Sequence, residues 1–216
     1  MMDTEKIFNY DKTILNDQIK HIAGIDEVGR GPLAGPVVTA CVIMPYDEML
    51  KGVFDSKKVT KKNRDRLYDE IIEKAISVSI SVRNQDVIDK INILNATKEC
   101  MFECFSKSKV KPDILLVDAV KLNICENELP IIKGDATSYA IACASIVAKV
   151  YRDRIMEDYA KKYPKYDFEN NVGYGTKKHI EAIKNFGITP IHRLSFLGKI
   201  IGEEECKRIS MEREAK

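Results

Sequence analysis

Little in this chain favours one charge: 35 lysines and arginines stand against 33 aspartates and glutamates, a net of +2. Overall charge therefore does not decide for or against a nucleic-acid partner, and any basic surface has to be local. Long apolar runs are missing too. None approaches the ~20 residues of a membrane span, and the polar N-terminus lacks a secretory-signal pattern. A cytoplasmic protein with no membrane partner is expected. Histidine is scarce, with His21, His179 and His192 only, and none stands near a serine nucleophile motif, so a hydrolase triad has no support. The six cysteines (41, 100, 104, 125, 143 and 206) form no Cys-x-x-Cys pair. Most lie in apolar segments, where cysteine behaves as a small hydrophobe. Cys100 and Cys104 share a helix face without a histidine nearby, so neither zinc nor a disulfide is expected. Repeats, low-complexity tracts and linkers are absent as well, and 216 residues suit one domain, or one domain with appendages.

What is present is organised around residues 24–36, Gly-Ile-Asp-Glu-Val-Gly-Arg-Gly-Pro-Leu-Ala-Gly-Pro. Residues 21–25 enter it as a buried strand and residues 37–44 leave it as another. Charges set directly on an apolar strand are costly unless paired, so Asp26 and Glu27 call for a metal ion or a basic partner. Gly29, Gly31 and Gly35 approach a dinucleotide fingerprint, but that motif must open a helix. Here Pro32 and Pro36 interrupt the loop and a β-branched run follows. The Walker pattern is absent. A hairpin-like connection remains, whose glycines let backbone N–H groups approach a ligand.

Along the chain, residues 1–19 read as an N-terminal extension or short helix. A basic helix is expected from Asp55 to about Ala75, with Leu67, Ile71 and Ile72 on its apolar face. Residues 76–82 alternate apolar residues with serine, the pattern of a half-exposed strand. A helix over 86–107 follows, with a possible break at 92–95. Residues 114–118 and 130–135 read as short strands, each ending in a carboxylate. A long helix runs from Ala136 to about Tyr163, with Thr137 or Ser138 as cap and its first half apolar all round. A loop at 170–175, a helix at 176–186 and a charged tail from 203 complete the chain. Strands alternating with helices give an α/β fold with a central mixed sheet flanked by helices.

Asp26-Glu27, Asp118 and Asp135 then share a placement at strand ends. Side by side, such strands bring the carboxylates to one sheet edge, where they raise one another's pKa unless cations neutralise them. Hard oxygen ligands without His or Cys suit Mg²⁺ or Mn²⁺, and a pair of such ions suits in-line phosphodiester displacement. Neighbouring strand residues point to opposite faces, so the strand is expected to end or bulge at Asp26-Glu27. Asp153 is set aside: on one straight helix it stands roughly 27 Å from Asp135, with Lys149 and Arg152 to pair with it.

With these residues in place, the chain resembles ribonuclease HII, the type-2 ribonuclease H family, over residues 20–198. The resemblance rests on residues 24–36, Asp55-Ser56-Lys57, Val117-Asp118, Lys133-Gly134-Asp135, residues 144–150, Gly173-Tyr174-Gly175 and residues 190–196, in that order. It implies a ribonuclease H-like fold with a helical C-terminal part. The expected organisation is an extension at 1–19, a catalytic domain at 20–200 and a short charged tail at 201–216. It implies endonucleolytic cleavage of RNA in RNA–DNA hybrids, and cutting 5′ to single ribonucleotides embedded in duplex DNA. Asp26, Glu27, Asp118 and Asp135 are the implied catalytic metal ligands. Gly29, Arg30 and Gly31 are implied to read the 2′-hydroxyl, the group that distinguishes RNA from DNA, and Tyr174 to pack on the next sugar. Lys57 is the foremost candidate for phosphate contact; Lys58, Lys61, Lys62, Arg64, Arg66, Lys177 and Lys178 are further ones. A replication sliding clamp is the candidate protein partner, and a monomer is expected. The tail is shorter than in some relatives, and nineteen leading residues cannot supply the substrate-binding domain of ribonuclease HIII.

Two other readings compete. A catalytically silent hybrid binder has no use for four mutually repelling carboxylates. A nucleotide-dependent regulator using the glycine loop predicts nucleotide binding that survives EDTA.

Overall fold

The computed structural model describes residues 2–118 and 121–214. Helix α1 (Met2–Lys12) precedes strands β1 (Ile22–Val28) and β2 (Val37–Ile43). There follow α2 (Lys61–Lys74), β3 (Ser77–Arg83), α3 (Gln85–Ser106), β4 (Ile114–Asp118), β5 (Glu128–Ile131) and the long α4 (Tyr139–Lys162). Helices α5 (Phe168–Asn171), α6 (Lys177–Phe186), α7 (Gly198–Ile201) and α8 (Glu203–Glu214) close the described chain.

The strands form one mixed sheet in the order β3-β2-β1-β4-β5, with β1 antiparallel to β2, parallel to β4, and β4 parallel to β5. The chain divides into two compact units: Met1–Val28, Val38–Val82 and Thr97–Tyr151, then Gly29–Val37, Arg83–Ala96 and Arg152–Lys216.

In the first unit, side-chain alternation sorts each strand between two helices. Ala23, Ile25, Leu115 and Val117 pack with Met101 and Cys104 of α3, whereas Ile22 and Leu116 pack with Ala140 and Ile141 of α4. Close approach of α4 depends on Gly24, where a Cβ would stand 2.1 Å from the Ala140 carbonyl carbon. The apolar first half of α4 is buried throughout, as its composition requires. Ser138 is its cap, accepting from the Ile141 amide.

Strand β3 is half-buried, as its alternation implies, with its serines on the inner side. Ser77, Ser79 and Ser81 are the buried residues while Val78 and Ile80 are partly exposed. Ser79 donates to the Cys104 carbonyl at 2.6 Å and Ser77 accepts from the Lys109 amide, so partners on the chain that follows turn the serines inward. The break in α3 lies at Asn92, with φ 64°, and its side chain caps the next turn through the Asn95 amide.

The second unit has its own core around Met156, Phe168, Ile183, Ile191 and Leu197. Among the described residues no helix is long and apolar enough to cross a membrane.

Candidate active site

Asp26 lies inside β1, not at its end. The antiparallel register runs without interruption through Asp26↔Ala40, Glu27↔Thr39 and Val28↔Val38, so the expected bulge is absent. The physical reason is that β2 supplies a partner for every position up to Val28. Asp26 and Glu27 therefore keep opposite faces, Asp26 on the side of Gly24 and α4. Asp118 closes β4. Ile25 pairs with Val117, so Asp26 and Asp118 follow directly on paired residues and share the α4 face.

Asp135 also departs from expectation. Strand β5 stops at Ile131, and Asp135 sits in the 3₁₀ turn Gly134–Ala136 that leads toward α4. Lys133, with φ 55°, turns the chain, and the Gly134 amide donates to Asp118 Oδ1 at 2.6 Å. That bond ties the turn carrying Asp135 to the end of β4.

The charge of Asp118 acts on both Asp26 and Asp135. Burial first, then the charges of Glu27 and Asp118, push the Asp26 carboxyl well above the usual range, against a hydrogen bond from Ser145. Burial, then Asp55 and Asp118, push Asp135 up, and Lys57 opposes them. Asp55 is thus a further carboxylate of the cluster that the sequence reading passed over; its place in Asp-Ser-Lys beside Lys57 was the available signal. Ser145 Oγ also lies 3.0 Å from Ser56 Oγ, within hydrogen-bond distance. The Asp-Ser-Lys turn and Asp26 are thereby joined through α4.

Among the described residues no three His, Cys, Asp or Glu side chains close into a ready metal cage. The donor set is nonetheless all carboxylate oxygen under mutual repulsion, which fits a hard dication. Mg²⁺ keeps several waters and takes only one or two carboxylates, so an open cluster suits it.

The basic residues divide. Lys57 is exposed and acts on Asp135. Arg64 turns inward onto the Ser56 and Val59 carbonyls, holding the Asp-Ser-Lys turn. Arg66 pairs with Glu70, Lys58 with Asp55, and Lys178 with Asp167.

In the second unit, residues 29–36 form the loop between β1 and β2. Gly29 has φ +96°, and a Cβ there would stand 2.3 Å from Arg152 Nε and 2.6 Å from the Pro36 carbonyl oxygen. Arg152 does not serve Asp153 as expected. Fully buried, it donates to the carbonyls of Pro36, Ala34 and Val172 at 2.9, 3.2 and 2.9 Å. Those acceptors surround it once the loop and residue 172 fold over α4, which no local spacing reveals. Arg30 and Gly31 are exposed. Tyr174 is 43% exposed, and a Cβ at Gly31 would lie 3.5 Å from its ring, so the loop and this aromatic are neighbours. His179 Nδ1 bonds the Tyr174 carbonyl at 2.8 Å, and its Nε2 meets His192 Nε2 at 3.0 Å. The Thr189 amide donates to His192 Nδ1, which leaves His192 Nε2 as donor to a neutral His179.

The Ribonuclease HII family model matches residues 23–199. Ribonuclease HII of Ruminiclostridium cellulolyticum is 49% identical over 198 residues, covering 91% of this chain and 78% of that one. Ribonuclease HII of Lactobacillus johnsonii is 53% identical over 190 residues, covering 88% and 75%. Among solved structures, ribonuclease H2 from Pyrococcus horikoshii superposes with a TM-score of 0.71 at 27% identity, covering 87% of this chain and 99% of that one. The RNase HII of the PCNA:RNase HII complex from Archaeoglobus fulgidus gives 0.68 at 26%, covering 80% and 93%. The fold is ribonuclease H-like. This chain belongs to the ribonuclease HII family and is a nuclease of ribonuclease H type.

Proposed function

We propose that this enzyme, besides cutting long hybrids, incises duplex DNA on the 5′ side of a single embedded ribonucleotide, leaving a 5′-phosphate. Its family membership supports hydrolysis of the RNA strand of RNA–DNA hybrids. The observation that carries the rest is that the charge of Asp118 bears on both Asp26 and Asp135, with Glu27 adding to the first and Asp55 to the second, an arrangement that disfavours the empty site and favours cations in it. In this reading Asp26, Glu27, Asp118 and Asp135 hold Mg²⁺ or Mn²⁺. Bound there, two such ions would activate the attacking water and stabilise the leaving oxygen.

The chain's own groups do the remaining work. Ser145 orients Asp26, and the Gly134 amide orients Asp118. Lys57 offsets part of the negative charge around Asp135 and is the proposed phosphate contact. Gly29, Arg30 and Gly31 are proposed to meet the 2′-hydroxyl through the backbone, and the exposed Tyr174 ring to lie on the neighbouring sugar. Initiating removal of misincorporated ribonucleotides is the proposed cellular role. A sliding clamp is the proposed partner, since an Archaeoglobus fulgidus relative forms a complex with PCNA, and a monomer is the proposed state.

The test is cleavage of an end-labelled duplex with one ribonucleotide, in Mg²⁺, Mn²⁺ or EDTA. One metal-dependent cut immediately 5′ to the ribonucleotide is expected. Cleavage of long hybrids alone would discard the assignment of residues 29–31 and Tyr174. Asp118→Asn should abolish cutting and leave duplex binding intact; undiminished cutting would refute the metal assignment.

A further inference from the structure

Residues 190–196 match the family pattern, yet none of them has a part in the chemistry above. Arg193 is fully buried, and among the described residues no carboxylate forms an ion pair with it. Its donors go instead to three backbone carbonyls of one loop. Nη2 reaches the Gly29 oxygen at 2.6 Å, Nη1 the Arg30 oxygen at 3.0 Å, and Nε the Gly35 oxygen at 2.9 Å. The guanidinium also lies over the Phe196 ring at 5.3 Å.

The backbone bearing this side chain is itself fixed. The Arg193 amide donates to the Leu33 carbonyl and the Gly35 amide to the Ile191 carbonyl, the two bonds that flank a single antiparallel bridge between Ala34 and His192. Asp89 accepts from the Leu194 amide at 2.9 Å and from the Ser195 amide at 3.0 Å. Burial and the like charge of Arg152 push the guanidinium down to about 9, so it stays charged near neutrality.

A trans peptide points its C=O and N–H in opposite directions. The Gly29 carbonyl shares a peptide plane with the Arg30 N–H, and the Arg30 carbonyl shares one with the Gly31 N–H. A rigid planar fork gripping both carbonyls sets both planes at once and turns both N–H groups away from itself.

We propose that Arg193 is the positioning residue of ribonucleotide recognition: by clamping the Gly29 and Arg30 carbonyls it aims the adjoining N–H groups at the 2′-hydroxyl. This rests on the reading that residues 29–31 meet that hydroxyl. The charge has a second effect, because a donor on a carbonyl polarises its peptide and strengthens the N–H opposite.

The test compares wild type, Arg193→Lys and Arg193→Ala, with Mn²⁺, on a duplex with one ribonucleotide and on a long RNA–DNA hybrid. Wild type that leaves the single ribonucleotide uncut overturns the loop reading, and the clamp with it. Given wild-type cutting, Arg193→Lys should lose between about ten- and a hundredfold in kcat/KM at the single ribonucleotide, the scale of a charge-assisted hydrogen bond. The loss on the hybrid should be smaller, because a 2′-hydroxyl is present at every step. Equal losses on both substrates, or none on either, overturn the clamp while leaving the loop reading intact. Guanidinium ion at non-denaturing concentration should restore single-ribonucleotide cutting to folded Arg193→Ala, and a folded variant that is not rescued counts against the proposal. If both variants lose the native circular dichroism spectrum, Arg193 is a stability residue and the proposal falls.

Discussion

Asp11 on α1 accepts the Ala140 amide hydrogen at 2.8 Å, closing from another helix the N-terminus of the helix that carries Ser145. The same oxygen accepts from Tyr46 and Ser138, and the other has no hydrogen-bond partner among the described residues. Burial, against these bonds, raises the Asp11 carboxyl to about 6. Asp11→Ala strands three donors and should cost about 2–3 kcal/mol in urea unfolding. Asp11→Asn keeps the acceptor without the buried charge and should cost clearly less at pH 7. Equal losses would show that the charge itself is needed.

Asp26 opposes stability at neutral pH. Its folded pKa stands above the unfolded value, so the stability it contributes is present at low pH and lost as pH rises through the folded pKa. Asp26→Asn should therefore raise the Tm of metal-free protein at pH 7 while removing cleavage. Mn²⁺ should raise the wild-type Tm more than that of the variant. A variant less stable than metal-free wild type would contradict the electrostatic picture.

His192 predicts an acid limb of the opposite kind. Burial, then His179 and Arg213, depress it to about 3, against the Thr189 amide; burial lowers His179 too. Both are neutral in the fold. As pH falls below the unfolded histidine value the unfolded chain takes up protons first, and stability declines from about pH 6.5 toward 3 by at most ~1.4 kcal/mol per unit for His192. His192→Gln, which can bond Thr189 and His179 without titrating, should flatten that limb in urea titrations at successive pH values.

Gly29→Ala meets two obstacles, a positive φ and a 2.3 Å approach to Arg152 Nε. Backbone strain alone costs about 1–3 kcal/mol, and relief requires the loop to move. Single-ribonucleotide cutting should fall well beyond the loss in Tm. Cutting at wild-type rate with a normal Tm would show that the loop tolerates the shift and does not read the hydroxyl.

Local pattern carried much of this molecule. Apolar runs located β1, β2 and β4, Ser138 is one of the two caps foreseen for α4, and Asn92 marked the break in α3, because each depends on residues adjacent along the chain. Carboxylates at or near strand termini pointed to a common cluster, and ordered motifs pointed to the family. Pairing and burial across long separations decided the rest. Strand β1 continues past Asp26 because β2 pairs with it to Val28. The serines of β3 face inward because Cys104 and Lys109 offer partners there. Arg152 reads as a solvent-facing charge in sequence and Arg193 only as part of a motif, since nothing local shows that a loop more than a hundred residues earlier presents its carbonyls to them. Charge and periodicity describe a residue's own segment; which backbone groups need its donors depends on what folds against it.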